Sequence, residues 1–192
     1  MRIIGGIAGG RRLAVPDRVT RPTSDRTREA LFSSLDALLG SWEGLRVVDL
    51  YAGSGALGLE SLSRGASAAT FIERDRAAIR VLHDNIASLG LEGGVVQSGA
   101  VEDAVARPPA DAFDVAFLDP PYATPIDDVR SVLTSMAAAG WLVDGAVVVV
   151  ERDVRDDVAP WPAAGWERVR QRAYGDTALW YGRFLGTTAN EP

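Results

Sequence analysis

Asp119-Pro120-Pro121-Tyr122 follows directly on the apolar run Phe113 to Leu118 and gathers a carboxylate, carbonyl oxygens and an aromatic ring into one short turn. Its two prolines remove two backbone donors and stiffen the chain. What points outward accepts hydrogen bonds and stacks, which suits a flat ring bearing an exocyclic amine. The Asp119 carboxylate and the Pro120 carbonyl would take the two N–H hydrogens, and Tyr122 would lie on the ring. A second stretch has the composition of a nucleotide-cofactor loop: Gly53, Gly55 and Gly58 follow the β-branched run ending at Leu50 with G-x-G-x-x-G spacing. Glycines let the chain turn sharply off a strand and bring backbone N–H groups close to a ligand. Asp49 lies inside the run, and Glu73 ends the next apolar stretch about 20 residues after the first glycine, where a ribose-binding acid belongs. The candidate cofactor contacts are therefore Asp49, Tyr51, Ala52, Gly53, Ser54, Gly55, Glu73 and its neighbour Arg74.

These groups need strands and helices to hold them, and the hydrophobic pattern supplies both. The chain opens with two short β-prone runs separated by glycines, Arg2 to Gly6 and Gly9 to Val15, which read as a hairpin. A helix follows, capped by Ser24 or Asp25, with Leu31, Leu35 and Leu38 on one face and Gly40 or Gly44 at its end. The strand before the glycine loop leads into a helix over Ala56 to Arg64 closed by Gly65. Next come a strand over Ala68 to Glu73 and an Asp75-capped helix with Ile79, Leu82, Ile86 and Leu89 at three- and four-residue steps. Val95 and Val96 form a short strand, and a small helix covers Val101 to Val105. The strand Phe113 to Leu118 then delivers Asp119, and a helix with Val129, Leu133 and Met136 leads to a buried strand at Ala146 to Val150. Strand and helix alternate throughout, which means an α/β fold with a parallel, doubly wound sheet. Two last strands, Trp166 to Gln171 and Leu179 to Phe184, have no helix between them and predict an antiparallel strand at one edge.

With 192 residues, nearly half of them apolar, the chain can bury one core and is most simply a single domain. It has no cysteine, so neither a disulfide framework nor a thiolate metal site is available. His83 is its one histidine, which argues against metal-dependent and histidine-based nucleophilic catalysis. No apolar run reaches membrane-spanning length and no signal-peptide core is present, so a cytoplasmic location is expected. The net charge of −6 conceals an asymmetry: residues 1–28 carry seven arginines against two aspartates, +5, leaving −11 on the rest. Arginine mixed with Gly and Pro at a chain end suits phosphate, so Arg2, Arg11, Arg12, Arg18, Arg21 and Arg26 are candidate phosphate contacts; the competing reading is a solvated basic arm.

Asp-Pro-Pro-Tyr resembles the amine-methylating signature of S-adenosylmethionine-dependent methyltransferases, and three other stretches narrow the likeness. Residues Arg21 to Phe32, Asp49 to Glu60 and Tyr174 to Leu179 together resemble the bacterial RsmD-type 16S rRNA guanine-N2 methyltransferases, from the first residues to about Leu185. The resemblance implies a seven-stranded, Rossmann-like class I methyltransferase fold with an N-terminal β-hairpin extension. Its boundaries would be a basic hairpin for RNA contact over 1–25, the methyltransferase domain over 26–186, and a disordered tail over 187–192. It implies S-adenosylmethionine as donor, S-adenosylhomocysteine as product and no metal. The acceptor would be a guanine of 16S rRNA in the assembled or assembling small ribosomal subunit, and the enzyme a monomer. Asp119, Pro120, Pro121 and Tyr122 match the family's catalytic motif, Asp49, Gly53 and Gly55 its cofactor loop, and Glu73 its ribose-binding acid. One departure stands out: Ser98-Gly99-Ala100 has no acid or amide where many methyltransferases bind the adenine amine. That leaves the Ala100 or Val101 backbone, or Glu102 or Asp103, for the role. A DNA amino-methyltransferase shares the motif; a nicotinamide-dependent oxidoreductase shares the glycine spacing but leaves Asp119 to Tyr122 without a purpose. A non-catalytic RNA-binding module would not need Asp119.

Overall fold

Ser24 turns its hydroxyl back to accept the Thr27 amide hydrogen, and this starts the first helix, α1 (Asp25–Leu39). Gly40, at φ +74°, ends it. The structure, a computed structural model, describes residues 1–16 and 24–186. It divides into two compact units, residues 1–99 and 100–192.

In the first unit α1 is followed by β1 (Arg46–Leu50), α2 (Ala56–Arg64), β2 (Ala68–Glu73), α3 (Arg76–Leu89) and β3 (Gly94–Ser98). β1 and β2 run parallel and in register, as do β2 and β3. Asp75 caps α3 by accepting the Ala77 and Ala78 amides, and Gly90 closes it in the left-handed region. α3 buries Ala78, Leu82, Asn85 and Leu89, so the inward stripe is centred slightly off the expected one and includes an asparagine. Ahead of α1, the N-terminal residues fold back on themselves. The Ile3 amide donates to Arg11, the Gly10 amide to Ile3 and the Leu13 amide to Met1, and Arg2 bridges Arg12 antiparallel. Ile3 and Leu13 are buried. This is hairpin pairing reduced to one bridge, because the glycine-rich turn takes up most of the segment.

The second unit holds α4 (Val101–Val105), β4 (Phe113–Leu118), α5 (Ile126–Ala138), β5 (Leu142–Asp153), β6 (Trp166–Tyr174) and β7 (Thr177–Phe184). β4 and β5 are parallel, whereas β7 is antiparallel to both β5 and β6. Within the units the strand orders are β3-β2-β1 and β4-β5-β7-β6. The antiparallel strand thus lies one in from the edge, with β6 outermost: β7 buries Ala178 to Tyr181 beside β5, while β6 exposes about half its residues. Sequence alternation could not order the pair, because a hairpin can dock by either strand. β5 runs seven residues further than the apolar core of its run, from Leu142 to Asp153, and carries the buried charges Glu151 and Arg152 past the end of β4. No helix among the described residues is long and apolar enough to cross a membrane.

Candidate functional site

Each glycine of the loop after β1 has its own physical reason. Gly53 sits at φ +55°, and a Cβ there would meet nothing nearer than the Tyr51 carbonyl oxygen at 4.0 Å, so it is the left-handed backbone rather than crowding that calls for glycine. Gly55 is the N-cap of α2 in the left-handed region, and a Cβ there would come within 2.2 Å of Leu82. Gly58 lets α2 lie against β2, since a Cβ would meet the Phe71 ring at 2.3 Å. Tyr51, at φ +61°, is the one non-glycine residue with positive φ among the described residues. Ala52 and Ser54 are buried within the loop.

Two carboxylates hold this loop. Glu73, at the end of β2, accepts the Gly53 amide at 2.8 Å through Oε2 and the Arg74 and Asp75 amides at 2.8 Å through Oε1. Asp49 is 2% exposed and accepts the Gly58 amide at 2.9 Å. Burial is the main reason its pKa is pushed up to about 7; the Gly58 hydrogen bond opposes the rise and the Glu73 charge adds to it. A buried carboxyl held near neutrality is poised to ionise when a cation arrives. The residues therefore fit a cationic cofactor: an open backbone cradle at Gly53, an acid at the strand end and an underlying carboxyl that a positive charge would relieve. The Arg74 side chain is exposed.

In the second unit, Asp119 leaves β4 half-buried, Pro120 is buried, and Tyr122 is 44% exposed. The Thr124 amide donates to the Pro121 carbonyl at 2.8 Å, which closes the turn before α5 begins at Ile126. Ala100 is the N-cap of α4 and has no side chain to offer; the buried Val101 follows, while Glu102 and Asp103 are exposed in the first turn. No group of three or more His, Cys, Asp or Glu residues among the described residues is placed to hold a metal ion.

The N-terminal arginines do not form one set. Arg11 is spent within the fold: its guanidinium donates to the Leu89 carbonyl at 2.6 Å and to the Ser88 carbonyl, capping the end of α3. Arg2 pairs with Asp25 at 3.3 Å but stays 62% exposed. With Arg12 and Asp25 it lines a hollow of about 650 Å³. Arg26 is exposed on the first turn of α1. Arg18 and Arg21 lie outside the described residues, as does the tail expected over 187–192.

A family model described as conserved hypothetical protein 95 matches residues 1–183. Ribosomal RNA small subunit methyltransferase D of Escherichia coli is 38% identical over 180 residues, spanning 93% of this chain and 87% of that protein. The chain belongs to the bacterial RsmD-type methyltransferase family. A Haemophilus influenzae protein of the same name is 35% identical over 157 residues, 80% of this chain and 79% of its own. The RsmD-type fold accounts for nearly all of the chain: a solved structure described as a putative methyltransferase from Escherichia coli superposes with a TM-score of 0.86 at 34% identity, covering 97% of this chain and 99% of that one.

Sequence reasoning missed the residues by which this RsmD-type chain fastens its N-terminal segment to the glycine loop after β1 and to α2. Glu60, fully buried, accepts the Ile4 amide at 2.6 Å and the Gly5 amide at 2.8 Å, and pairs with Arg64 at 2.9 Å. Ser63 accepts the Ala8 amide and donates to the Gly5 carbonyl. Asn85 accepts the Ala14 amide at 2.8 Å and donates to the Ala14 carbonyl at 3.0 Å and to the Ser54 carbonyl at 2.9 Å. Its signal was available: a polar residue three positions after Leu82 and four before Leu89, in phase with the buried stripe.

Proposed function

We propose that this protein transfers a methyl group from S-adenosylmethionine to the exocyclic N2 amine of a guanine in small-subunit rRNA. The observation that carries the reading is the turn after β4, where a half-buried carboxylate, a buried proline and an exposed tyrosine ring emerge together at the strand's end. Resemblance of the chain to proteins named as small-subunit rRNA methyltransferases supports RNA as the acceptor.

Asp49, Tyr51, Ala52, Gly53, Ser54, Gly55, Glu73 and Arg74 would hold the cofactor, with Ala100 and Val101 beside its adenine. When bound, S-adenosylmethionine supplies a methyl group already activated on a sulfonium. The chain's own residues then have to align and accept. Guanine N2 is a weak nucleophile because its lone pair is delocalised into the ring. Asp119 and the Pro120 carbonyl accept its two N–H hydrogens and favour a more pyramidal nitrogen, one of those protons passing to Asp119 or water once N2 carries the methyl group, and Tyr122 stacks on the base. The guanine has to leave its stack to be held this way, at a cost of a few kcal/mol that is smaller in a loop than in a duplex. Pro121 keeps the turn rigid. The working compartment in this reading is the cytoplasm, where the small subunit is the partner.

Purified protein incubated with labelled S-adenosylmethionine and, separately, unmodified small subunits, naked rRNA and duplex DNA tests the reading. Label recovered as N2-methylguanosine from subunits or rRNA is expected. Label in DNA alone, or in none of the three, overturns it.

A further inference from the structure

We infer that the outermost strand, β6, forms a second RNA contact, in which Arg170 and Arg172 hold phosphates of the strand that carries the target guanine. The inference rests on the proposed function and adds a surface that residues 1–28 do not contain. The acidic body must meet RNA near Asp119, yet Arg11 is consumed in capping α3 and Arg28 is buried. Elsewhere Arg64, Arg130, Arg152 and Arg155 are in ion pairs with carboxylates; Arg74, Arg76, Arg80, Arg107 and Arg183 are in none among the described residues, but none of them stands on the outermost strand. On β6, Arg168, Arg170 and Arg172 lie within five residues and make no ion pair among the described residues.

Strand register decides which of the three face the substrate. Residues two apart on a regular strand share a face. Here a bulge intervenes: Arg168 stands opposite Gly182 and Arg170 opposite Tyr181, so one extra residue, Val169, turns Arg168 to the other side. The ring contacts agree, because Arg168 lies over Trp180 at 4.9 Å and Arg170 over Tyr181 at 5.7 Å, and those neighbours on β7 point to opposite faces. Arg170 and Arg172 therefore share a face with Tyr181 and Leu179, hence with Val149 and Glu151 on β5. Leu118 pairs with Val150, so Asp119, one residue on, comes level with Glu151. The row Asp119, Glu151, Leu179, Arg172 crosses three strand spacings, about 14 Å. An RNA strand leaving the guanine along this face reaches two unpaired guanidinium groups at the sheet's edge, one of them steadied over an aromatic ring.

Arginines on an edge strand also discourage strand-to-strand association, and that alone is the competing account. Binding of an rRNA fragment at increasing salt separates the two. Arg170→Ala with Arg172→Ala is expected to shallow the log–log slope by about 1.4, at about 0.7 for each single-strand phosphate no longer neutralised. The same double variant is expected to raise KM for small subunits at least about ten-fold while its affinity for S-adenosylmethionine, which reports an intact fold, is retained. The double change to lysine is expected to restore most of the slope, and Arg168→Ala on the opposite face to leave it unchanged. A wild-type slope and KM in the double alanine variant, or an equal loss from Arg168→Ala, overturns the inference while the wild type still methylates RNA. Failure of the wild type to methylate any RNA removes the proposed function and this surface with it.

Discussion

Replacing Asp49 with asparagine is expected to stabilise the cofactor-free protein by an amount that grows with pH. An aspartate in the unfolded chain titrates at about 3.9, whereas burial raises Asp49 in the folded protein to about 7. Between those values the unfolded chain gives up its proton while the folded chain keeps it, so stability falls as pH rises and levels off above pH 7. Below both values the group contributes nothing. Each step of one pH unit is worth about 1.4 kcal/mol, so the full loss is about 4 kcal/mol, with about 1–2 kcal/mol already lost at pH 5. Asparagine keeps an oxygen for the Gly58 amide and carries no charge to desolvate. Urea unfolding of both proteins at pH 5 and pH 8, without cofactor, measures the difference. The gap should widen by about 2–3 kcal/mol toward pH 8. A gap that stays constant over that range would show that Asp49 ionises freely in the fold and would refute the reasoning.

Three further outcomes are expected. Glu73→Ala should weaken S-adenosylmethionine binding by about 1.5–3 kcal/mol in calorimetric titration; because Glu73 also holds the Gly53, Arg74 and Asp75 amides, part of that loss is loop order, and unchanged affinity would remove Glu73 from the site. Asp119→Ala should bind S-adenosylmethionine normally yet transfer methyl about a hundred-fold more slowly or worse, and near-normal turnover would reduce the motif to a turn. Deleting residues 1–13 should cost about 3–6 kcal/mol from Ile3 and Leu13 alone and leave the buried Glu60 without its two amide donors. A truncated protein with an unchanged melting temperature would show those contacts to be idle.

What could be read from the sequence was whatever neighbouring residues decide among themselves. The spacing of Gly53, Gly55 and Gly58 after a β-branched run marked a strand, a loop and a helix, and Ser24, Asp75 and Gly65 marked helix ends, because caps and turns are local chemistry. Ala68 to Glu73 and Phe113 to Leu118 coincide with β2 and β4 to the residue, since turn-forming or polar residues bound both apolar runs. Contacts spanning 50 residues or more were invisible. Nothing near Glu60 in the chain says that it holds Ile4 and Gly5, and nothing near Arg11 says that its guanidinium caps a helix ending at Leu89. For the same reason, the bonds that tie residues 4–14 into the first unit through Glu60, Ser63 and Asn85 have no local signature. The side of β6 that Arg170 faces depends on one bulged residue, Val169, which alternation cannot foresee.

Tyr51 gives the glycine loop after β1 a liability along with its shape. A side chain at φ +61° carries about 1–3 kcal/mol of backbone strain that glycine would not feel. A thermostability screen blind to turnover would therefore be drawn to Tyr51→Gly, and so would sequence redesign driven by backbone energy alone. Both would relax the segment that leads into Gly53 and give up a loop already set in one conformation before any ligand arrives. Selection for heat tolerance and selection for methylation rate are then expected to pull in opposite directions at this one position, and a library randomised there would sort its winners by which of the two was demanded.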